Sequence, residues 1–236
     1  MKKKTIGVLG GIGASASANL YQELVKICKV EYKAQKDDDF PPIIVNSMSF
    51  PGFDTQGKGN EDEIKSQLLE GLNILKNAGA DFGIIVCNTV HSHFQYLQEN
   101  CNLEMISIID ETVNAVVSGK CKCVGILSSH ETKDSGLYTN ALTKAGVKQI
   151  IADYLDQSIL DKIIGNVISG NVTDTDKSKL VSIATKMSNL GADGIILGCT
   201  EIPLAFPDDL DLPKIKIFNS NKIIAKAALK KSLTHN

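Results

Sequence analysis

Asn77-Ala-Gly-Ala-Asp-Phe-Gly-Ile-Ile-Val-Cys87-Asn-Thr89 returns later in the chain as Asn189-Leu-Gly-Ala-Asp-Gly-Ile-Ile-Leu-Gly-Cys199-Thr200. Each copy reads in three steps. Asn-x-Gly supplies the left-handed residue that stops a helix, a short β-branched run follows as a buried strand, and a cysteine stands at that strand's carboxyl end. Matching the two Gly-Ile-Ile cores calls for one deletion. Self-similarity reports architecture directly, because a repeated segment is a repeated structural unit.

Working outward, a second repeat precedes each copy. Ile6-Gly-Val-Leu-Gly-Gly-Ile-Gly13 with Asn19-Leu-Tyr21-Gln-Glu-Leu24 is matched by Val124-Gly-Ile-Leu-Ser-Ser-His130 with Gly136-Leu-Tyr138-Thr-Asn-Ala-Leu142, with one residue of slippage. Met105-Ile-Ser-Ile-Ile-Asp110 likewise resembles Ile215-Lys-Ile-Phe-Asn-Ser220. Strands are expected at Thr5–Leu9, Ile43–Asn46, Phe82–Val86, Met105–Ile108, Cys123–Leu127, Gly194–Leu197 and Lys214–Phe218. Ile64, Leu68, Leu72 and Leu75 share one face of a helix over about 62–78, as do Leu180, Ala184, Met187 and Leu190 over 176–190. Strands alternating with helices predict an α/β fold with parallel sheet covered on both faces. Two similar domains are expected, 1–102 plus 209–236 and 103–208, each half handing its last strand and helix onward, with a cleft between them.

Composition sets the limits. The chain has 236 residues, 43% hydrophobic and 22% charged, so it can bury a sizeable core. A net charge of −2 with no lysine run on a helix face gives no electrostatic footprint for nucleic acid. No apolar run approaches the roughly 20 residues that cross a bilayer. Met1-Lys-Lys-Lys4 and the apolar stretch to Ala14-Ser-Ala-Ser-Ala18 imitate a secretory leader, yet four glycines and an internal counterpart assign the segment to the fold. Six cysteines without disulfide-framework spacing suit reduced thiols and a cytoplasmic setting. Four histidines and no second cysteine pair make a metal site improbable, and none is expected. Every fixed positive charge is lysine, because the sequence contains no arginine.

Ligands of open parallel sheets bind beyond the carboxyl ends of the strands, where Cys87 and Cys199 are both expected. A single buried cysteine is commonly a small hydrophobe; a matched pair asks for a different account. Both precede small polar residues, Asn88-Thr89 and Thr200-Glu201, whose amides can open a helix, bind an anion and lower thiol pKa values. If a pseudo-twofold axis relates the domains, one sulfur faces each side of a ligand. One acid and one base on opposite faces is the requirement for proton exchange at a stereocentre, which is racemisation or epimerisation.

Gly7-Val-Leu-Gly-Gly11, Val86-Cys-Asn-Thr-Val-His91 and Leu197-Gly-Cys-Thr-Glu-Ile-Pro203 together resemble the aspartate/glutamate racemases. The resemblance covers essentially the whole chain. It implies two domains with four-stranded parallel sheets, a cleft site, no cofactor, commonly a homodimer, and a small amino acid or carboxylate as substrate. It further implies Cys87 and Cys199 as the acid/base residues, Asn88, Thr89 and Thr200 as holders of the α-carboxylate, and Ser129 and Thr132 as hydroxyls against the ligand. In the glycine loop Gly10-Gly11-Ile12-Gly13, Ile12 stands where the family usually has methionine and forms a more branched pocket wall.

Departures bear on the substrate. Aspartate-specific members resemble one another in using an arginine after the second strand and a lysine in the second domain. Here the first stretch, Ser47 to Gln56, offers neutral groups and an acid, and the lysine position falls near Gln157-Ser158. Losing an ion pair removes much of the discrimination for a dicarboxylate, so Gln56 or Ser158 is left as a replacement donor and aspartate is in doubt. His91 either orders a thiolate or serves the structure; Glu201 either orients the Cys199 side or favours a helix N-terminus. The glycine loop nearly satisfies a dinucleotide fingerprint, but the second strand ends Val45-Asn-Ser47 without the ribose-binding acid. The alternatives to an amino-acid racemase are a cis-trans isomerase of the maleate type and a noncatalytic carboxylate-binding protein.

Overall fold

Strand β1 (Ile6–Gly10) is buried at all five positions, as a continuous apolar run in a parallel sheet covered on both faces must be. In the computed structural model, which describes residues 3–50, 60–207 and 215–234, β1 is central in a sheet of order β2-β1-β3-β4. Its chain continues through α1 (Ala14–Val30), β2 (Ile43–Ser47), α2 (Glu61–Asn77), β3 (Phe82–Ile85), α3 (Phe94–Asn100) and β4 (Met105–Ile106). The second sheet follows with α4 (Ile108–Ser118), β5 (Cys123–Leu127), α5 (His130–Asp134), α6 (Leu137–Lys144), β6 (Lys148–Ile151), α7 (Tyr154–Ile168), α8 (Asp174–Asn189), β7 (Gly194–Leu197), α9 (Ile202–Ala205) and β8 (Lys216–Asn219). It has the order β6-β5-β7-β8, and α10 (Ser220–Leu233) closes the chain. Both sheets are parallel throughout. The expected α/β class with two four-stranded parallel sheets is what the chain adopts.

The repeat is tighter than its sequence alignment implied. Ile6 pairs with Phe82 and Leu9 with Ile85, as Val124 pairs with Gly194 and Leu127 with Leu197. Each position of the first segment is therefore matched by the one 112 residues later, Cys87 by Cys199 included, and no deletion is needed. Side-chain identity shifted by one residue; backbone register did not. The helix stops match as well. Gly79 and Gly191 have φ of 97° and 102°, and the next amide reaches back to the helix, Ala80 to Leu75 and Ala192 to Met187.

Two expectations need correction. The strand at Lys148–Ile151 is absent from the sequence reading, because at the sheet edge it is only partly buried and shows no apolar alternation. The domain boundaries also move. The described residues up to Ile108 pack with those from Ile224 onward as one compact unit, and Ile109–Ile223 form the other. β4 pairs with β3 (Gly83 with Met105) and β8 with β7 (Gly194 with Lys216), so each last strand stays in the sheet of its own half. Only the following helix is handed on, not strand and helix together; sequence similarity identified 105–110 and 215–220 as equivalents but carried no information on which sheet they join.

In the first unit, α2 lays Ile64, Leu68, Leu72 and Leu75 on Leu9, Ile85 and Cys87. In the second, α8 lays Leu180, Ile183, Ala184 and Met187 on Leu127, Ile195 and Leu197. At Gly7, β1 leaves no room for a side chain against the end of α2 and the start of β3. A Cβ there would lie 2.9 Å from Ala80 Cβ, 3.1 Å from the Phe82 carbonyl oxygen and 3.4 Å from Leu75 Cβ. None of these is the far end of a flexible side chain. Gly7→Ala is expected to destabilise the protein by roughly 1–3 kcal/mol through overpacking, read as a lower urea midpoint.

Candidate active site

Cys87 lies two residues beyond the end of β3 and Cys199 two beyond the end of β7. Each is 8% exposed, and all six cysteines are free thiols. The turns that carry them are built alike. Val86 N–H donates to Leu9 O at 2.9 Å, and Gly198 N–H donates to Leu127 O at 2.7 Å, so each turn is tied to the end of the neighbouring central strand. Short helices follow, a 3-10 helix at Thr89–His93 and a four-residue α9. Helices this short offer little macrodipole to the cysteine turns.

In the first unit, Ile12 and Cys87 belong to one apolar cluster with Leu9, Ile85 and Val90, and Asn88 is buried beside them in sequence. Thr89 is half-buried. Gly11 has φ of 87°, and a Cβ on it would lie 2.1 Å from the Met48 carbonyl oxygen. Its amide donates to Ser17 Oγ at 2.9 Å, and Ser17 Oγ donates to Gly13 O at 2.8 Å. The glycine loop is thus knotted to its own helix, which uses the first amide a dinucleotide pyrophosphate would need.

His91 has a definite structural task. Its ring is buried, Nδ1 lies 2.7 Å from Cys87 O, and Nε2 accepts from Ile108 N–H at 3.2 Å. An Nε2 that accepts puts the proton on Nδ1, which donates to Cys87 O. The ring therefore joins the backbone of the cysteine turn to the first amide of α4. Burial pushes its pKa down to about 4, so it is neutral at pH 7. Equivalent position 203 carries proline, whose side chain can form no such bracket.

The second unit gathers the other expected residues. Ser129 caps α5: its Oγ accepts from Thr132 N–H at 3.3 Å and donates to Thr132 Oγ1 at 3.2 Å. Both are buried. Thr200 Oγ1 donates to Glu201 Oε2 at 3.0 Å, and the same oxygen lies 3.2 Å from Cys199 Sγ. Tyr138 lies under this turn, where a Cβ on Gly198 would meet its ring at 2.8 Å. Its phenol bonds the side chains of Thr112 and Ser220, and burial pushes its pKa up.

The residues near the expected lysine take other roles. Ser158 is exposed on α7. Gln157 is turned inward, donating from Nε2 to Ser128 O at 2.9 Å and to Asp161 Oδ1 at 3.1 Å. Asp161 in turn accepts from His130 N–H at 3.1 Å and lies 3.2 Å from His130 Nδ1. Sequence reasoning does not reach this bracket on the Ser128–His130 loop. Its one signal in the sequence is the i, i+4 spacing of Gln157 and Asp161. Gln56 lies outside the described residues. Among the described residues no group of three or more His, Cys, Asp or Glu is placed to hold a metal, and no helix is long and apolar enough to cross a membrane.

The neutral His91 makes stability pH-dependent. Its folded pKa is depressed below the ordinary 6.5, so its contribution is fully present above pH 6.5 and is lost as pH falls toward 4. The full shift corresponds to about 3 kcal/mol. Urea midpoints at pH 7 and pH 4.5 are expected to differ less in His91→Gln, which cannot acquire the charge, than in the wild type.

Comparison with known proteins agrees with this geometry. A sequence model of the Asp/Glu/hydantoin racemase family matches residues 9–228. The broad specificity amino-acid racemase RacX of Bacillus subtilis is 25% identical over 98% of this chain and 99% of its own. The glutamate racemase of Persephonella marina is 29% identical over 85% of this chain and 77% of its own. An aspartate racemase homologue from Pyrococcus horikoshii has a TM-score of 0.81 at 26% identity, covering 99% of this chain and 100% of that one. With its two parallel sheets, its paired cysteine turns and a family match that runs almost from end to end, the chain belongs to the Asp/Glu/hydantoin racemase family and is an isomerase.

Proposed function

We propose that the protein is a cofactor-independent amino-acid racemase in which Cys87 and Cys199 exchange protons with the substrate α-carbon. The observation that carries this reading is the equivalent placement of the two thiols, each two residues past the carboxyl end of the equivalent strand in two sheets of the same topology. One thiolate removes the α-proton and becomes a thiol; the other thiol delivers its proton to the opposite face and becomes a thiolate. The reverse reaction exchanges the two roles, which accounts for two matched turns. Developing enolate charge falls to the amides and hydroxyls of the cysteine turns and of the Ser129–Thr132 turn. Catalytic thiols need a reducing compartment, in keeping with a cytoplasmic enzyme.

The substrate is proposed to be broader than aspartate. The chain contains no arginine, Ser158 and Gln157 supply no charge in place of the second-domain lysine, and one relative along its full length is a racemase of broad specificity. A side-chain carboxylate would then be recognised by neutral donors, which discriminate less strongly against uncharged side chains.

The test is to incubate reduced protein with a panel of L-amino acids in deuterium oxide and follow loss of the α-proton signal by NMR. Exchange is expected in several amino acids; exchange confined to aspartate or glutamate would overturn the broad specificity. Cys87→Ser and Cys199→Ser should each abolish racemisation, and full activity in either would sink the two-base scheme. Binding of amino acids without any exchange would make the protein a carboxylate-binding member of the family.

A further inference from the structure

The two halves match in backbone, and one of the side chains in which they differ beside the thiols is a carboxylate. Position 89 follows Cys87 by two residues and is threonine; its equivalent, 201, is glutamate. Glu201 is 6% exposed and places Oε2 3.2 Å from Cys199 Sγ. The same oxygen accepts the Thr200 hydroxyl at 3.0 Å. An ionised carboxylate only accepts hydrogen bonds, so it is satisfied here by two donors, the Thr200 O–H and the Cys199 S–H. If the thiol ionised, that S–H bond would vanish and two anions would face each other at close range in a water-poor turn.

From α6 the facing titratable group is the Tyr138 phenol. From α7 and α8 the turn meets Leu160, Ile163 and Ile183. The charged Asp161 of α7 is tied to His130 and Gln157, and Asp176 of α8 to Thr173 and Asn166. On α8, Lys186 is bound to Asp153 and Asp156 and Lys177 to Asp174.

We propose that Glu201 is a positioning residue that holds Cys199 in its thiol form, so that the matched thiols are unequal at rest: Cys199 is the standing proton donor and Cys87 the base. This rests on the two-base reading for its catalytic meaning. In the direction that starts from this form, Cys87 thiolate takes the α-proton, Cys199 thiol gives its own to the other face, and the enzyme is left as Cys87 thiol and Cys199 thiolate. The Glu201 carboxylate then favours return of a proton from solvent to Cys199, while Cys87 releases the proton it took to solvent, which resets the enzyme.

The proposal is tested without turnover. Alkylation by iodoacetamide proceeds through the thiolate, so the pH dependence of labelling at each cysteine, resolved by mass spectrometry of peptides, reads its ionisation in the intact protein. Glu201→Gln keeps the shape and removes the charge. It is expected to raise Cys199 labelling roughly tenfold at neutral pH, moving its midpoint down by about one unit, while Cys87 in the same sample is unchanged. Thr89→Glu, which installs a carboxylate at the equivalent position, is expected to raise the Cys87 midpoint and provides the test should Glu201→Gln not fold. An unchanged or raised Cys199 midpoint in Glu201→Gln, or equal shifts at both cysteines, would overturn the proposal. Because labelling is independent of racemisation, a chain that exchanges no α-proton yet shows the shift loses the racemase reading and keeps the unequal thiols.

Discussion

In each sheet one aspartate ties the start of the central strand to the start of its neighbour, β1 to β3 and β5 to β7. Asp81 Oδ2 accepts from Thr5 N–H at 2.6 Å while Asp81 N–H donates to Thr5 O at 3.0 Å. In the second half Asp193 takes the amides of Lys122 and Cys123 at 2.8 and 3.2 Å and donates to Cys123 O at 2.8 Å. Each aspartate stands two residues after the left-handed glycine that ends the preceding helix. Helix stop, carboxylate clamp and strand start therefore form one rigid joint. A slip of one residue would turn every apolar side chain of the strand to the opposite face. With the joint fixed at one end, a four-residue strand delivers its cysteine at the other.

What the two halves do not share is polar. The first loop is a glycine turn whose amide is taken by Ser17; its counterpart is a serine turn in which Ser129 and Thr132 bond each other. His91 brackets the first cysteine turn, and proline stands in its place in the second. Apolar contacts depend on volume and tolerate the repeat being copied. Hydrogen bonds depend on individual donors and acceptors, so the polar residues are where duplicated units can diverge without disturbing the core.

The electrostatic balance of the chain also bears on its chemistry. Without arginine, no bidentate planar cation is available to a carboxylate. Lysines in the described structure engage surface partners, such as Lys226 with Glu31 and Lys231 with Glu104. Recognition by amides and hydroxyls is weaker than recognition by a desolvated ion pair, and less selective for a second carboxylate.

The α/β class, the central strands, the two long amphipathic helices and the positions of both cysteines were legible in the sequence. They rest on local periodicity, on Asn-x-Gly stops and on a repeat, all of which are contiguous in the chain. The ungapped register of the repeat, the edge strand at Lys148–Ile151 and the home sheets of β4 and β8 were not, because strand pairing joins residues far apart in sequence. The same holds for side-chain roles. Nothing local distinguishes a histidine that brackets Cys87 O and Ile108 N–H from one that touches a substrate, or a Glu201 that meets Cys199 from one that merely begins a helix. Residue type and spacing selected the candidates; the folded backbone, by setting which donors face which acceptors, decided their tasks.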